Sequence, residues 1–135
     1  MVSAHEALVD TLRRTAAALP DVDLLVLFGS RAGTSARADS DIDLAIGLPN
    51  HSAEVRRAVE VAFARAVPAR ADVVFLDGAP PQLRFEIARS GVLLCERTAG
   101  AWTRERARAM VDWWDWAPMA RRIHARAVAR LRTEA

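Results

Sequence analysis

The sequence LLVLFGSRAGTSARADSDIDLAI, residues 24–46, decides the fold of this chain. Its first five residues, Leu24 to Phe28, are all apolar, and an apolar run of this length before a glycine is typical of a strand buried on both faces. The segment from Asp41 to Ile46 alternates instead, so that Asp41 and Asp43 share one face of a second strand. We therefore expect two core strands joined by a polar loop, with two carboxylates on the second strand.

The two carboxylates of Asp41 and Asp43 repel each other, by about 1 kcal/mol at 4 Å in water and about 4 kcal/mol at an effective dielectric constant of 20. A shared proton, an arginine partner or a hard cation would offset this repulsion. Oxygen ligands without nearby His or Cys suit Mg²⁺ or Mn²⁺, and we favour the metal. The alternative is a pair of solvated aspartates on an exposed strand face.

The Gly29-Ser30 pair stands where the first strand ends. Gly29 permits close backbone approach, Ser30 offers a hydroxyl and an amide, and a helix that begins here would present its N–H groups to an anion. A phosphate site and a magnesium site some ten residues apart imply a nucleoside triphosphate as ligand.

Composition limits the class of protein. A chain of 135 residues is expected to form one domain, and its single cysteine, Cys95, excludes an intramolecular disulfide and is expected to be buried. No stretch approaches the roughly 18–20 apolar residues of a membrane span, and the N-terminus does not read as a signal peptide, so we expect a cytoplasmic protein. All nineteen cationic residues are Arg, which excludes a catalytic lysine.

Charge is distributed unevenly along the chain. Residues 1–96 carry ten Arg and thirteen acidic residues, whereas residues 97–135 carry nine Arg and four acidic residues. A basic C-terminal segment predicts a docking surface for an acidic partner, and a solvated helix face is the alternative.

Periodicity predicts the remaining elements. Ser3 and Glu6 have capping-box spacing before a helix over residues 4–18, and a second helix follows the cap candidates Asn50 to Ser52. The further predictions are a strand over 71–76, a short helix that contains Leu83 and Ile87 and ends at Gly91, and a strand over 92–95.

The C-terminal segment is predicted to be helical from about Ala101, and Pro118 is expected to break or restart that helix. Trp113, Trp114 and Trp116 cannot all face one core, so at least one is expected to be exposed or to meet a partner, while the others pack against the sheet. The three histidines, His5, His51 and His124, are expected at the surface.

Asp72 lies near the start of the strand over 71–76. The other residues of this strand have the pattern of a buried strand, so the carboxylate needs an explanation. A salt bridge to Arg70 or another arginine is one explanation. Another follows from the combined pattern of Gly29-Ser30, ten residues, Asp41-Ile42-Asp43 and an aspartate about thirty residues further on. This pattern resembles the signature of the polymerase-β-like nucleotidyltransferases, and the segment order resembles the minimal nucleotidyltransferase (MNT) antitoxins encoded beside HEPN-domain toxins.

The resemblance implies an α/β (α+β) fold in which a mixed nucleotidyltransferase-type sheet is flanked by helices, with further helices at the C-terminus. It implies a nucleotidyltransferase core over residues 1–96 and a helical extension of the same domain over 97–135. Gly29 and Ser30 would hold the phosphates of ATP, and the metal and catalytic residues would be Asp41, Asp43 and Asp72, which bind two Mg²⁺ ions.

The implied function is transfer of AMP from ATP to a tyrosine hydroxyl of a partner HEPN ribonuclease toxin, which is thereby neutralised. Membrane or direct nucleic-acid binding is not expected. Two alternatives remain open: a non-catalytic antitoxin that acts by stoichiometric binding, and an aminoglycoside-type nucleotidyltransferase with a small-molecule substrate. Relatives usually carry glycine where this chain has Thr34, with a glycine one position earlier at Gly33, and this leaves the loop geometry open.

Overall fold

The computed structural model describes residues 2–32 and 41–134, apart from the side chains of Ser30, Arg31 and Glu134. These parts of the chain form four α-helices and four β-strands. In chain order the elements are α1 (Ala4–Ala17), β1 (Leu24–Phe28), β2 (Ile42–Gly47), α2 (Ala53–Ala66), β3 (Ala71–Phe75), α3 (Pro81–Ser90), β4 (Val92–Glu96) and α4 (Ala101–Glu134). Short 3-10 turns follow β1 and β3, at Gly29–Ala32 and Leu76–Gly78.

The four strands form one mixed sheet in the order β3, β2, β1, β4. Strand β1 pairs antiparallel with both β2 and β4, whereas β2 and β3 are parallel. The end of β1 therefore lies beside the starts of β2 and β3. This topology confirms the predicted mixed sheet flanked by helices, with the two aspartate-bearing strands adjacent.

Both predicted N-terminal helices begin at serine caps. The Ser3 hydroxyl accepts a hydrogen bond from the Glu6 amide at 3.1 Å, and the Ser52 hydroxyl accepts one from the Val55 amide at 3.2 Å. Such caps each stabilise a helix by about 1 kcal/mol. The predictions for both helices are confirmed.

The sheet is covered on both faces. On one face Ile42, Leu44 and Ile46 of β2 join an apolar cluster with Leu12 of α1 and Phe63 of α2. On the other face a smaller cluster lies under α3 and the start of α4, and its members include Val26, Ala45, Ile87 and Trp102. Since burial of each large apolar side chain contributes about 1.5–3 kcal/mol, these two layers hold the strand ends in place.

The C-terminal helix differs from the prediction. It runs without interruption from Ala101 to Glu134 and contains Pro118, so the expected break at this proline was wrong. Proline leaves the carbonyl four residues earlier without its helical donor, and that residue is Trp114. Because both Pro118 and Trp114 are exposed, we infer that water can solvate the freed carbonyl and the helix continues.

The tryptophan cluster is divided between solvent and α3. Trp114 is 69% exposed, which confirms that one of the three is exposed. Trp113 stacks on Phe85 of α3 with ring centroids 4.8 Å apart, and Trp116 lies 5.4 Å from Trp113. The expectation that these two rings pack on the sheet was wrong, because α3 lies between this part of α4 and the strands.

Smaller differences concern single residues. Asp41 precedes β2 rather than beginning it, the strand over 71–76 ends at Phe75, and Cys95 is only partly buried. All three histidines are exposed, as predicted. Gly33 and Thr34, which carry the departure from the family pattern, lie outside the described residues. Within residues 2–32 and 41–134, the helices lack the combination of length and apolar character needed to cross a bilayer.

Candidate active site

The three predicted aspartates lie at one end of the sheet. Asp43 and Asp72 are direct neighbours in the register of β2 and β3, and Asp41 stands two residues before Asp43. Asp41 is exposed, whereas Asp43 and Asp72 are partly buried. Phe28 is the β1 partner of Asp43, so the turn that begins at Gly29 is at the same end.

Gly29 makes room for Asp43. Its φ of 71° is a conformation that other L residues rarely adopt, and a Cβ built on this residue would collide with the Oδ2 atom of Asp43. The glycine is therefore required by both backbone conformation and close approach. The sequence predicted that Gly29 allows a phosphate to approach the backbone. The close approach of Gly29 to Asp43 was not predicted.

The electrostatics of Asp43 reflect its surroundings. Burial raises the pKa of its carboxyl, and the negative charges of Asp72 and then Asp41 raise the pKa further. Repulsion from both neighbours indicates that the three carboxylates act on one another.

Asp72 has a cationic partner in this structure. Its Oδ1 atom accepts a hydrogen bond from the Nε atom of Arg70 at 3.0 Å, which bears out the arginine explanation considered for this residue. Within residues 2–32 and 41–134, no three His, Cys, Asp or Glu side chains are grouped closely enough to hold a metal ion. The three carboxylates thus lie at the same end of the sheet, but they are not arranged around a single metal position.

The donor chemistry nevertheless fits a hard cation. Asp43 and Asp72 on adjacent strands, and Asp41 directly before β2, offer only carboxylate oxygens. Burial raises the pKa of Asp43, and the negative charges of Asp72 and Asp41 raise it further. Such a donor set suits Mg²⁺ or Mn²⁺, which would relieve the repulsion.

The phosphate side of the candidate site is described only in part. Gly29 begins a single 3-10 turn, and the side chain of Ser30 and residues 33–40 lie outside the described part of the chain. The roles of Gly29 and Ser30 in phosphate binding therefore stay predictions.

A cavity of about 470 Å³ lies at the opposite end of the sheet. Its lining includes Asp23 before β1, Gly47 at the end of β2 and Asp77 after β3. It also includes Arg84 and Glu105, which form an ion pair at 3.2 Å between α3 and α4. We place the candidate active site at the carboxylates and not in this cavity. In the cavity Asp23 accepts from Thr98, Asp77 lies near His51 and Glu105 pairs with Arg84. At the carboxylates Arg70 pairs with Asp72, but burial and the charges of Asp72 and Asp41 still raise the pKa of Asp43.

The ion pair between α3 and α4 was not predicted, because Arg84 and Glu105 are twenty-one residues apart and belong to different helices. Opposite charges at such a spacing follow no periodic pattern that a single sequence would reveal.

Comparison with solved structures finds the same fold in toxin–antitoxin complexes. A chain of a toxin–antitoxin complex with AMP-PNP superposes with a TM-score of 0.73 at 20% identity, over 93% of this chain and 99% of that chain. A chain of the MntA-HepT complex superposes with a TM-score of 0.67 at 19% identity, over 92% and 96% of the two chains.

A third similar structure contains a tri-AMPylated HEPN toxin from Shewanella oneidensis in complex with an MNT antitoxin, with a TM-score of 0.68 at 19% identity over 92% and 95% of the two chains. No curated protein matches the chain. The polymerase β nucleotidyltransferase family profile matches residues 10–99, which is two thirds of the sequence. The matched residues contain β1 to β4 and all three aspartates, and the chain therefore belongs to the polymerase β nucleotidyltransferase family.

Proposed function

We propose that this chain is an antitoxin of the MNT type that transfers AMP from ATP to a tyrosine hydroxyl of a partner HEPN-domain toxin and thereby neutralises it. The observation that carries the proposal is the convergence of Gly29, Asp41, Asp43 and Asp72 at one end of the sheet. The fold agreement with chains of complexes that contain AMP-PNP and an AMPylated HEPN toxin supports the same substrate and partner.

The reaction is a displacement at the α-phosphorus of ATP. The acceptor oxygen forms a bond to this phosphorus, the bond to the bridging oxygen breaks, and pyrophosphate leaves. Asp72 takes part in removing the hydroxyl proton, and Gly29 and Ser30 hold the phosphates through the turn after β1.

Magnesium would be held by Asp41, Asp43 and Asp72. When bound, Mg²⁺ supplies positive charge that activates the hydroxyl and stabilises the charge on the α-phosphate. Asp43 and Asp72 would fix that charge on two adjacent strands, with Asp41 directly before the first of them. We propose the cytoplasm as the site of the reaction, because ATP and magnesium are available there.

The acceptor must belong to another molecule if it is a tyrosine. This chain contains no Tyr, so modification of its own tyrosines is impossible. The partner toxin is therefore the proposed source of the hydroxyl.

The test is the intact mass of the proposed HEPN partner, after incubation with the chain, ATP and Mg²⁺. We expect a mass gain of one or more AMP units, and no gain with the Asp41→Ala, Asp43→Ala double variant. Loss of a group that acts in the transition state lowers rates by several orders of magnitude, so the variant should leave the toxin unmodified.

The same experiment separates modification from capture. If both versions silence the toxin and neither changes its mass, transfer to this partner is refuted and stoichiometric binding explains neutralisation. A mass gain with a small aminoglycoside and none with the toxin would favour the small-molecule alternative.

We further propose that residues 97–135 extend the same domain as the core over residues 1–96, and that the segment from Trp113 to Arg132 docks the toxin. Stacking of Trp113 on Phe85 joins this extension to α3. Beyond that contact α4 exposes large apolar side chains, namely Val111, Trp114, Met119, Ile123 and Leu131. Exposed Arg122 and Arg126 lie among them, so the surface suits a partner helix with acidic flanks.

Charge reversal tests this docking surface. The Arg122→Glu, Arg126→Glu variant should co-elute less with the toxin, because a rim of like charges repels an acidic partner. The matched control is Arg57→Glu, Arg65→Glu on α2, which changes the net charge equally at exposed positions. Unchanged co-elution of the α4 variant, or an equal loss in the control, would contradict this assignment.

A further inference from the structure

Arg70 contacts both strands that carry the candidate metal ligands. Its backbone carbonyl accepts a hydrogen bond from the amide of Ile42, the residue between Asp41 and Asp43, at 2.8 Å. Its guanidinium donates to Asp72 at 3.0 Å. One residue therefore fixes the start of β2 through its backbone and holds the carboxylate of β3 through its side chain.

The two contacts differ in how easily they break. The backbone contact continues the pairing of β2 and β3 and is independent of the side chain. The ion pair is exposed, with the Arg70 side chain 76% accessible and the Asp72 side chain 41% accessible. Exposed pairs contribute little to stability, so the guanidinium can leave Asp72 without disturbing the strands.

A cation that binds the Asp72 carboxylate draws negative charge away from the oxygen that accepts from Arg70, and so weakens this ion pair. A cation bound at Asp43 and Asp72 would also be repelled by a guanidinium charge held at hydrogen-bond distance from one of its ligands. We propose that Arg70 and a divalent cation compete for Asp72, so that the Arg70 side chain is released when the cation binds.

This inference rests on the proposed function, because it requires Asp72 to be a metal ligand. It goes further in assigning to Arg70 a role as the resident counter-ion of the site. While Arg70 occupies Asp72, its positive charge offsets part of the repulsion between Asp72 and Asp43, which are adjacent in the register. Arg70 is a positioning residue in this scheme and touches no reacting atom.

The test is a titration of the full chain with Mn²⁺ in the absence of nucleotide. Free Mn²⁺ is measured by its electron paramagnetic resonance signal. Arg70→Gln should bind Mn²⁺ about two- to fivefold more tightly than the wild type, since it removes the competing charge. Arg70→Lys keeps the charge and should remain near the wild-type affinity. A circular dichroism spectrum checks that each variant is folded.

Arg89→Gln is the matched control. Arg89 pairs with Glu86 in another exposed ion pair, at 2.7 Å, on the helix that leads into β4, the edge strand opposite β3. This variant loses the same charge and should bind Mn²⁺ as the wild type does.

The outcomes separate the two proposals. Weaker or unchanged binding by Arg70→Gln, with the wild type binding Mn²⁺, would overturn the competition and leave the metal site intact. Absence of Mn²⁺ binding by every version would overturn the metal role of the aspartates and this inference with it. Tighter binding by Arg70→Gln alone supports the competition.

Discussion

Two clusters of charged side chains lie in different parts of the molecule, and they are built on opposite principles. At the ends of β2 and β3, Asp41, Asp43 and Asp72 bring like charges together. Between α3 and α4, Arg84 donates to Glu105 at 3.2 Å and to Asp112 at 2.6 Å, so opposite charges meet.

The pKa values of the two clusters differ in their causes. At Asp43 burial and the neighbouring carboxylates both raise the pKa and disfavour the charged form. At Arg84 burial lowers the pKa, but the hydrogen bonds and charges of Asp112 and Glu105 outweigh burial and raise the pKa above its ordinary value.

The α3–α4 cluster joins two helices, whereas the carboxylate cluster has the incompletely compensated charge expected of the proposed metal site. At the centre of the α3–α4 cluster the Arg84 side chain is 13% and the Glu105 side chain 7% exposed, and their opposite charges compensate each other. In the carboxylate cluster the negative charges are only partly compensated by Arg70. A bound cation can therefore stabilise this part of the fold. Proteins commonly keep such unfavourable arrangements only where function requires them.

Glu105→Gln should have the largest effect on stability. The substitution removes the charge that faces a buried guanidinium and presents an amide N–H₂ to the donors of Arg84 and Arg108. Since Arg84 retains Asp112, we expect a loss of about 2–3 kcal/mol in the free energy of unfolding, somewhat below the range for a buried pair that loses its only partner. Urea denaturation followed by circular dichroism measures this loss.

The control for this variant is Glu86→Gln on α3. Glu86 also pairs with an arginine, Arg89, but both side chains are exposed, so the expected change is within about 0.5 kcal/mol. Equal losses in the two variants would show that burial does not distinguish the α3–α4 cluster.

Asp43→Asn should act in the opposite direction. It removes one of three like charges, so the midpoint of thermal unfolding is expected to rise by about 1–3 °C near neutral pH while AMP transfer is lost. Differential scanning calorimetry and the toxin mass assay measure the two effects. A fall in the midpoint would mean that hydrogen bonds to the Asp43 carboxylate outweigh the repulsion from its neighbours.

The sequence predicted the carboxylate cluster far better than the α3–α4 cluster, and the reason is physical. The period-2 alternation of Asp41 to Ile46 sets which side chains share a face, and the apolar run of Leu24 to Phe28 places the glycine at a strand end. Both signals are local. The partnership of Arg84 with Glu105 depends on how two helices cross, which no local period encodes.

Pro118 shows the other limit of local reasoning. The residue is a strong helix breaker in a buried helix, but the consequence depends on whether water can reach the carbonyl of Trp114. Exposure is a tertiary property, so the unbroken α4 could not be deduced from the proline alone. For Asp72 the sequence left two explanations open, and the structure shows its ion pair with Arg70 together with its place beside Asp43 of β2.

The smallest expected effect is the pH dependence that Asp43 adds to stability. Its pKa is raised in the folded chain, so the folded state binds more protons than the unfolded state between the ordinary and the raised pKa. Stability therefore falls as pH rises through this window, and the destabilisation persists above it. The advantage of Asp43→Asn over the wild type should accordingly be greatest near neutral pH and should shrink as the solution is acidified through the raised pKa. Unfolding free energies of both proteins between about pH 4 and pH 8 test this, and an advantage that grows on acidification would mean that the Asp43 carboxylate is stabilised, not strained, by its surroundings.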